Sequence, residues 1–425
     1  LVTIRPVPFD PTPIPGSGIA AQIHHRHRMT MNATTTDNSS LRNPGIDVLR
    51  GLSILLVVLH HLGLRMPLKT SLLADVVPKR LLSALNYNGY EAVFVFFVIS
   101  GFLIATNSLQ RWGRLDRIDL RAFYVRRSAR ILPCLVLLVG VLSLLHLAGF
   151  ADYTIQREGQ SLPRAILAVF GLHLNWYEGV TGYLPGGWDV LWSLSIEEVF
   201  YLGFPLVCLA IRSERALVGV LALLALSMPF SLAAITDNEI WKEKAYLPGM
   251  SAIALGVIAA LAATRWPPRR PVVVLALGGL GIAGIAAVML AMPWLWPLLH
   301  DAVLLVLSLA TACLLVALHA RASSGQLRAL PGSGWLRSMG RLSYEIYLGH
   351  MFVVFAVVAA FKASGSDVRY GFLWYVPAVL LAWLLGAVVA HAYSIPCDHA
   401  LRRRLLRTSP SGARGPHVAA LKSEA

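Results

Sequence analysis

The stretch DVLRGLSILLVVLHH, residues 47–61, is apolar enough to span a bilayer, yet it contains Asp47, Arg50, His60 and His61. An ionisable side chain inside a membrane span is expensive unless it faces a polar cavity or a partner, so such a span is a functional-site candidate by default. His61 follows Arg50 by eleven positions. On a helix advancing about 100° per residue the two point within roughly 20° of each other, about 16 Å apart along the axis. Asp47 shares that face and His60 does not. The expectation is a charged stripe along one helix, with the other spans as its surroundings.

The whole chain supports a membrane setting. Its 425 residues are 56% hydrophobic and 14% charged, with a mean hydropathy of +0.63, more apolar surface than a soluble core can bury. The class is all-α and polytopic. The net charge of +15 does not call for nucleic acid, because the basic residues fall in short stretches between apolar runs, as topogenic charge and contact with anionic membrane lipid require. Cys134, Cys208 and Cys313 lie in apolar runs and Cys397 just after the last. No CxxC or metal-ligand spacing occurs, so no metal site is expected.

Residues 1–45 are rich in Pro, Thr, Asn and Ser, with a cluster at His24, His25, Arg26, His27 and Arg28. They read as a disordered cytoplasmic tail. The chain opens with Leu1, and Met29 and Met31 are candidate later starts. No cleavable signal peptide is evident. Ten runs are then long enough to span: about 46–63, 93–109, 131–150, 190–211, 215–235, 247–263, 272–292, 298–319, 343–363 and 371–394. A shorter one covers 165–176. Arginine-rich segments at 111–130, 265–270, 321–341 and 402–407 all fall on one side if only the ten cross, which places both termini in the cytoplasm. Residues 151–189 are then an outer loop whose apolar part is re-entrant or interfacial. Its end, GYLPGGW at 182–188, suits stacking on a sugar ring or simple interfacial anchoring. Residues 396–425 read as a basic cytoplasmic tail.

Polar groups recur inside other spans. FFVISGFLI at 96–104 places Ser100 and Gly101 where close helix packing is the plain reading. Arg126, Arg127 and Arg130 precede the third span; guanidinium groups bind phosphate bidentately, and topogenic charge is the competing reading. The fourth span opens WSLSIEEVFY at 192–201, with Trp192 ahead of the adjacent carboxylates Glu197 and Glu198, and the ninth opens SYEIYLGH at 343–350, with Tyr344 and His350.

In this order, the stretches resemble the acyltransferase-3 family of bacterial integral-membrane O-acyltransferases that modify carbohydrates, over about residues 45–395. The resemblance implies transfer of an acyl group, most often acetyl from acetyl-CoA, to a sugar hydroxyl. It marks Arg50 and His61 as essential and links the Arg126, Arg127 and Arg130 motif to the acyl donor. The chain departs from the pattern in two places. Gly349 stands where a Trp commonly precedes the histidine, and Ser394, Ile395 and Pro396 replace a Glu-x-Pro. No esterase-like domain follows the spans, so a stand-alone enzyme is expected.

A thioester is already activated, so the protein has to align a hydroxyl, accept its proton and stabilise the oxyanion. A histidine suits the proton step. His61 is assigned that role, with Glu197 and Glu198 orienting the imidazole or the sugar, Asp47 on the same stripe, and Ser100, Trp192, Tyr344 and His350 in acceptor or supporting positions. Arg50 and the 126–130 arginines would hold the phosphates of acyl-CoA, which acts as co-substrate with no bound cofactor. An acyl-His61 intermediate stays open. So do a proton-coupled transporter, for which no internal repeat is seen, a non-catalytic scaffold, and acylation of a glycosylated small molecule rather than a surface polysaccharide or lipid-linked glycan. The expected site of action is the bacterial cytoplasmic (inner) membrane.

Overall fold

A computed structural model describes residues 43–406. The expectations on the N-terminal tail, on the His24–Arg28 cluster and on the last residues of the C-terminus lie outside that range. All regular structure among the described residues is helical.

The long helices are α1 (Pro44–Gly63), α2 (Gly89–Trp112) and α3 (Leu120–Leu147), then two short ones, α4 (Leu162–Phe170) and α5 (Leu174–Thr181). After these come α6 (Trp192–Ala210), α7 (Glu214–Leu226), α8 (Tyr246–Arg265), α9 (Pro271–Leu299), α10 (Val303–Ser323), α11 (Ser343–Ala363), α12 (Tyr375–Val389) and α13 (Ile395–Leu406). Nine stretches among the described residues are long and apolar enough to cross a membrane. One of them, 271–323, has 53 residues. As a straight helix it would run ~80 Å, against a hydrocarbon core of ~30 Å. It is instead broken at His300–Ala302, and its halves, α9 and α10, pack against one another. Counted as two crossings, it brings the total to the ten expected, and the protein is a multi-pass membrane protein.

The bundle centres on α2 and α8, whose apolar windows are 78% and 72% buried, while α9 stands at the margin and α10 packs between it and the two central helices. Glycine makes the central crossing close. A Cβ on Gly101 would sit 1.9 Å from the Ile253 carbonyl oxygen, and one on Gly256 would sit 2.0 Å from that of Val98. The packing reading of the Ser100-Gly101 pair is therefore what the glycine does. α2 ends at Gly113, whose φ of +75° is open to glycine and strained for other residues.

The arginine-bearing segments meet at one end of the bundle. Arg265 donates to the Gly113 carbonyl at 2.9 Å and pairs with Glu214 at 2.7 Å, and Arg121 donates to the Leu405 carbonyl at 3.1 Å. At the opposite end, the apolar stretch 165–176 does not cross. It forms α4 and α5, nine and eight residues long, with a sharp turn at Leu172 (φ +57°). Ala165, Ala168 and Val169 pack into one cluster with Leu135, Leu138 and Leu142 of α3. After α12 the chain makes a π-turn at Ala390–Ser394 and continues as α13, which lies on α3. The helix therefore runs past residue 395, where a tail was expected, as far as Leu406.

Candidate active site

Five helices, α1, α2, α3, α6 and α11, bring their polar residues together in one column. α1 and α11 lie side by side, so Arg50 Nη2 donates to Ser343 Oγ at 2.8 Å near the arginine end. Further along the same two helices, His61 Nδ1 and His350 Nε2 are 3.3 Å apart. Between these levels, Ser193 of α6 meets the Tyr347 hydroxyl at 2.8 Å, and that hydroxyl donates to the Val190 carbonyl at 2.9 Å.

At the lower level, Ser100 donates to Glu197 Oε1 at 2.7 Å. Arg127 reaches Glu198 at 3.3 Å and Glu197 at 3.6 Å, with its guanidinium 3.6 Å from the centre of the Tyr201 ring. Arg130 pairs with Glu345 at 2.7 Å and reaches Ser394 Oγ at 3.2 Å. Ser394 in turn donates to Glu345 at 2.7 Å. Tyr344 lies beneath Arg130, ring centre 5.3 Å from the guanidinium, and donates to the Ile131 carbonyl. Two of the three motif arginines are thus paired with carboxylates, Arg130 with the buried Glu345 and Arg127 with the half-buried Glu197 and Glu198. The Nε of Arg127, like that of the third arginine, Arg126, is buried without a hydrogen-bond partner among the described residues. Arg402 of α13 donates to the Arg126 carbonyl at 3.5 Å and is itself paired with Asp398 at 2.6 Å, and Arg111 lies close enough for its charge to act on Arg126.

At the upper level, the imidazoles can be assigned tautomers from their partners. His350 Nδ1 lies 2.7 Å from the Tyr347 carbonyl and His61 Nδ1 lies 2.9 Å from the Val57 carbonyl. A carbonyl only accepts, so both Nδ1 atoms carry hydrogen. In the neutral rings both Nε2 atoms are then lone-pair acceptors, that of His350 turned to His61. His60 faces elsewhere, with Nδ1 3.0 Å from the Asn86 carbonyl.

Several expected assignments change. The His61 ring is oriented by Val57 and His350, and the Glu197 and Glu198 carboxylates turn to Arg127 and Ser100 instead. Asp47 is buried in the first turn of α1, fourteen residues before His61. At ~1.5 Å per residue it is ~21 Å away, where an acid favours the helix N-terminus and cannot act on the same atoms. Trp192 is 6% exposed and its ring lies near those of Tyr90 and Phe97, so it serves packing. Trp188 is fully buried and offers no face to a sugar, and Tyr183 is held by Glu243 at 2.9 Å.

Other residues went unassigned in the sequence: Ser343, Glu345 and Ser394 here, and at the opposite end the buried Lys244 and Glu178 with the half-buried Asp189. Lys244 Nζ donates to Glu178 at 2.8 Å and also to Asp189, which fastens α5 to the short helix Glu239–Lys244. Glu345 and Lys244 each carried a visible signal, a charge within or at the mouth of an apolar run. Among the described residues no three His, Cys, Asp or Glu side chains converge as a metal site would need.

The family model described as an acyltransferase domain matches residues 43–392, the span that contains this column. The chain belongs to the acyltransferase-3 family. Similar curated proteins include the O-acetyltransferase OatA of Staphylococcus aureus strain NCTC 8325, 24% identical over 370 residues, covering 81% of this chain and 55% of that protein. A putative O-acetyltransferase of S. aureus strain COL is 27% identical over 240 residues, covering 53% of this acyltransferase-3 chain and 35% of its own length. The chain spans about half the length of the curated relatives it matches. No solved structure matches it.

Proposed function

We propose that the protein moves an acyl group, acetyl in the first instance, from acyl-CoA to a hydroxyl of a carbohydrate. The observation that carries this reading is the polar column running from the arginine end, through Arg50, Ser343, Ser193 and Tyr347, to the paired imidazoles. A buried polar path with a cationic mouth and a base at its far end fits a donor and an acceptor that approach from opposite sides.

At the arginine end, Arg126 with Arg111 holds the phosphates of the donor, because Arg127, Arg130 and Arg402 are already paired with carboxylates. The pantetheine arm follows the column. The acceptor hydroxyl gives its proton to His61 Nε2 as its oxygen attacks the thioester carbonyl. Collapse of the adduct breaks the C–S bond, and the departing thiolate takes the proton back as free CoA thiol. Arg50, about 16 Å along the helix from His61, serves the donor side and not the reacting carbonyl. The setting is the bacterial cytoplasmic (inner) membrane, with both ends of the chain and the arginines inside and residues 151–189 outside. The acceptor is a surface polysaccharide or its lipid-linked precursor.

Deleting the gene and measuring ester content of purified surface glycans by mass spectrometry tests the activity. The ester should disappear and return with the wild-type gene but not with His61→Ala. An unchanged ester profile would reject the reading. A cysteine placed at Gly159 should react with an impermeant reagent in whole cells, and protection there would reverse the orientation.

A further inference from the structure

Two acceptors converge on one donor at His61. Its Nδ1–H faces the Val57 carbonyl at 2.9 Å and His350 Nε2 at 3.3 Å. These acceptors differ in kind. An amide carbonyl is a far weaker base than an imidazole, so it can hold that hydrogen but cannot take it as a proton. His350 Nε2 can, because its ring already carries its own hydrogen on Nδ1, committed to the Tyr347 carbonyl at 2.7 Å. The Tyr347 side chain is pinned in turn by Val190 and Ser193, so α11 presents His350 in one orientation. His350 is fully buried, and its partner ring lies edge-on with the centroids 4.9 Å apart.

We propose that His350 is the proton store for His61, so that each transfer moves two protons rather than one. The inference rests on His61 being the base. As the acceptor O–H proton reaches His61 Nε2, the Nδ1 proton passes to His350 Nε2. His61 is left neutral and His350 becomes an imidazolium hydrogen-bonded to Tyr347 and His61. When the C–S bond breaks, both protons return and His61 Nε2 delivers one to the CoA thiolate, so atoms and charge balance over the cycle. The second ring spreads a buried positive charge over two imidazoles, which a lone His61 facing a carbonyl cannot do. His350 does not touch the substrate; it acts through His61.

Single-turnover acetyl transfer from acetyl-CoA to purified host surface glycan, run in mixtures of H2O and D2O on the full chain in detergent, reads the number of protons in flight. The wild type should give a curved proton inventory fitting two protons. His350→Gln keeps a hydrogen-bonding group near His61 Nδ1 but cannot take up a proton. It should give a linear inventory, a rate at least tenfold lower and a donor KM within twofold of wild type. A linear inventory in an active wild type overturns the relay while leaving acyl transfer intact, and needs no variant to fold. A His350→Gln protein that keeps the wild-type rate overturns it too. A wild type that transfers no acyl group to the glycan rejects the underlying reading and the relay with it.

Discussion

Arg130 and Glu345, 215 residues apart in sequence, form an ion pair at 2.7 Å in which the carboxylate side chain is 1% exposed and the guanidinium 30%. With Ser394 bonded to both, the pair joins α3, α11 and the π-turn before α13.

Removing one side of this pair should cost more than removing both. Arg130→Ala strands a buried carboxylate, at the lower end of about 3–5 kcal/mol because the arginine itself is partly open. Arg130→Met with Glu345→Leu should recover most of that loss. Thermal unfolding in detergent gives the comparison, and a double variant no more stable than Arg130→Ala would show the pair is not the cause.

The donor side separates into two kinds of arginine. Arg126→Ala should raise the acyl-CoA KM, about tenfold or less, with little change in kcat, since phosphate contacts remote from the thioester act as uniform binding. Arg127→Ala should instead lower stability, because it frees Glu197 and Glu198 and strips the cation from the Tyr201 ring. Steady-state kinetics beside melting curves decides it. A donor KM that responds to Arg127 and not to Arg126 would return the phosphates to the paired arginines.

Two glycines should answer oppositely to alanine. At Gly101 a Cβ meets the Ile253 carbonyl at 1.9 Å, so α2 and α8 must separate, at about 1–3 kcal/mol or more. At Gly140 nothing lies within 4 Å, and alanine there should be neutral or stabilising by up to about 1 kcal/mol. Unfolding midpoints of both variants, measured together, check the contrast.

How much of this was legible follows from what periodicity encodes. Run lengths fixed the crossings, and helical phase separated His60 from His61, because both depend only on local geometry. Phase says which face a residue occupies but not what lies opposite. Glu197 therefore read as orienting the His61 imidazole or the sugar when its neighbours are Ser100 and Arg127, and the loop end with Trp188 read as a sugar-stacking or interfacial segment when that Trp is buried. The trio Lys244, Glu178 and Asp189 escaped notice for the same reason, since it joins residues 55 and 66 positions apart.

That trio sets a pH dependence at the far end of the bundle. Burial, and the carboxylate of Asp189 beside it, push Glu178 well above its ordinary 4.5. A carboxyl whose folded value is raised binds its proton more tightly in the folded protein. Its contribution is complete below pH 4.5 and is lost as pH rises through the folded value. Hydrogen-exchange protection of residues 174–184, corrected for intrinsic rates, should fall as pH rises, and Glu178→Gln should flatten the slope. Protection that increases with pH would mean an ordinary lysine–carboxylate bridge.

His60 and His61 share composition and depth, and their rings touch edge-on with centroids 5.2 Å apart. They differ in what they face. His61 meets His350 and the polar column, whereas His60 meets the Asn86 carbonyl and packs on Gly89. His61→Ala should therefore lose a general base, about 10²–10⁴-fold in transfer, leaving what substrate positioning alone supplies. His60→Ala removes one hydrogen bond to a backbone carbonyl, worth about 1 kcal/mol of stability, and should leave turnover per folded molecule within a fewfold of wild type. Matched protein levels in membranes and labelled acetyl-CoA allow both to be measured in one assay. If His60→Ala were the inactive variant, the proton would leave the acceptor on the Asn86 side of α1, and the column ending at His350 would not be the path of transfer.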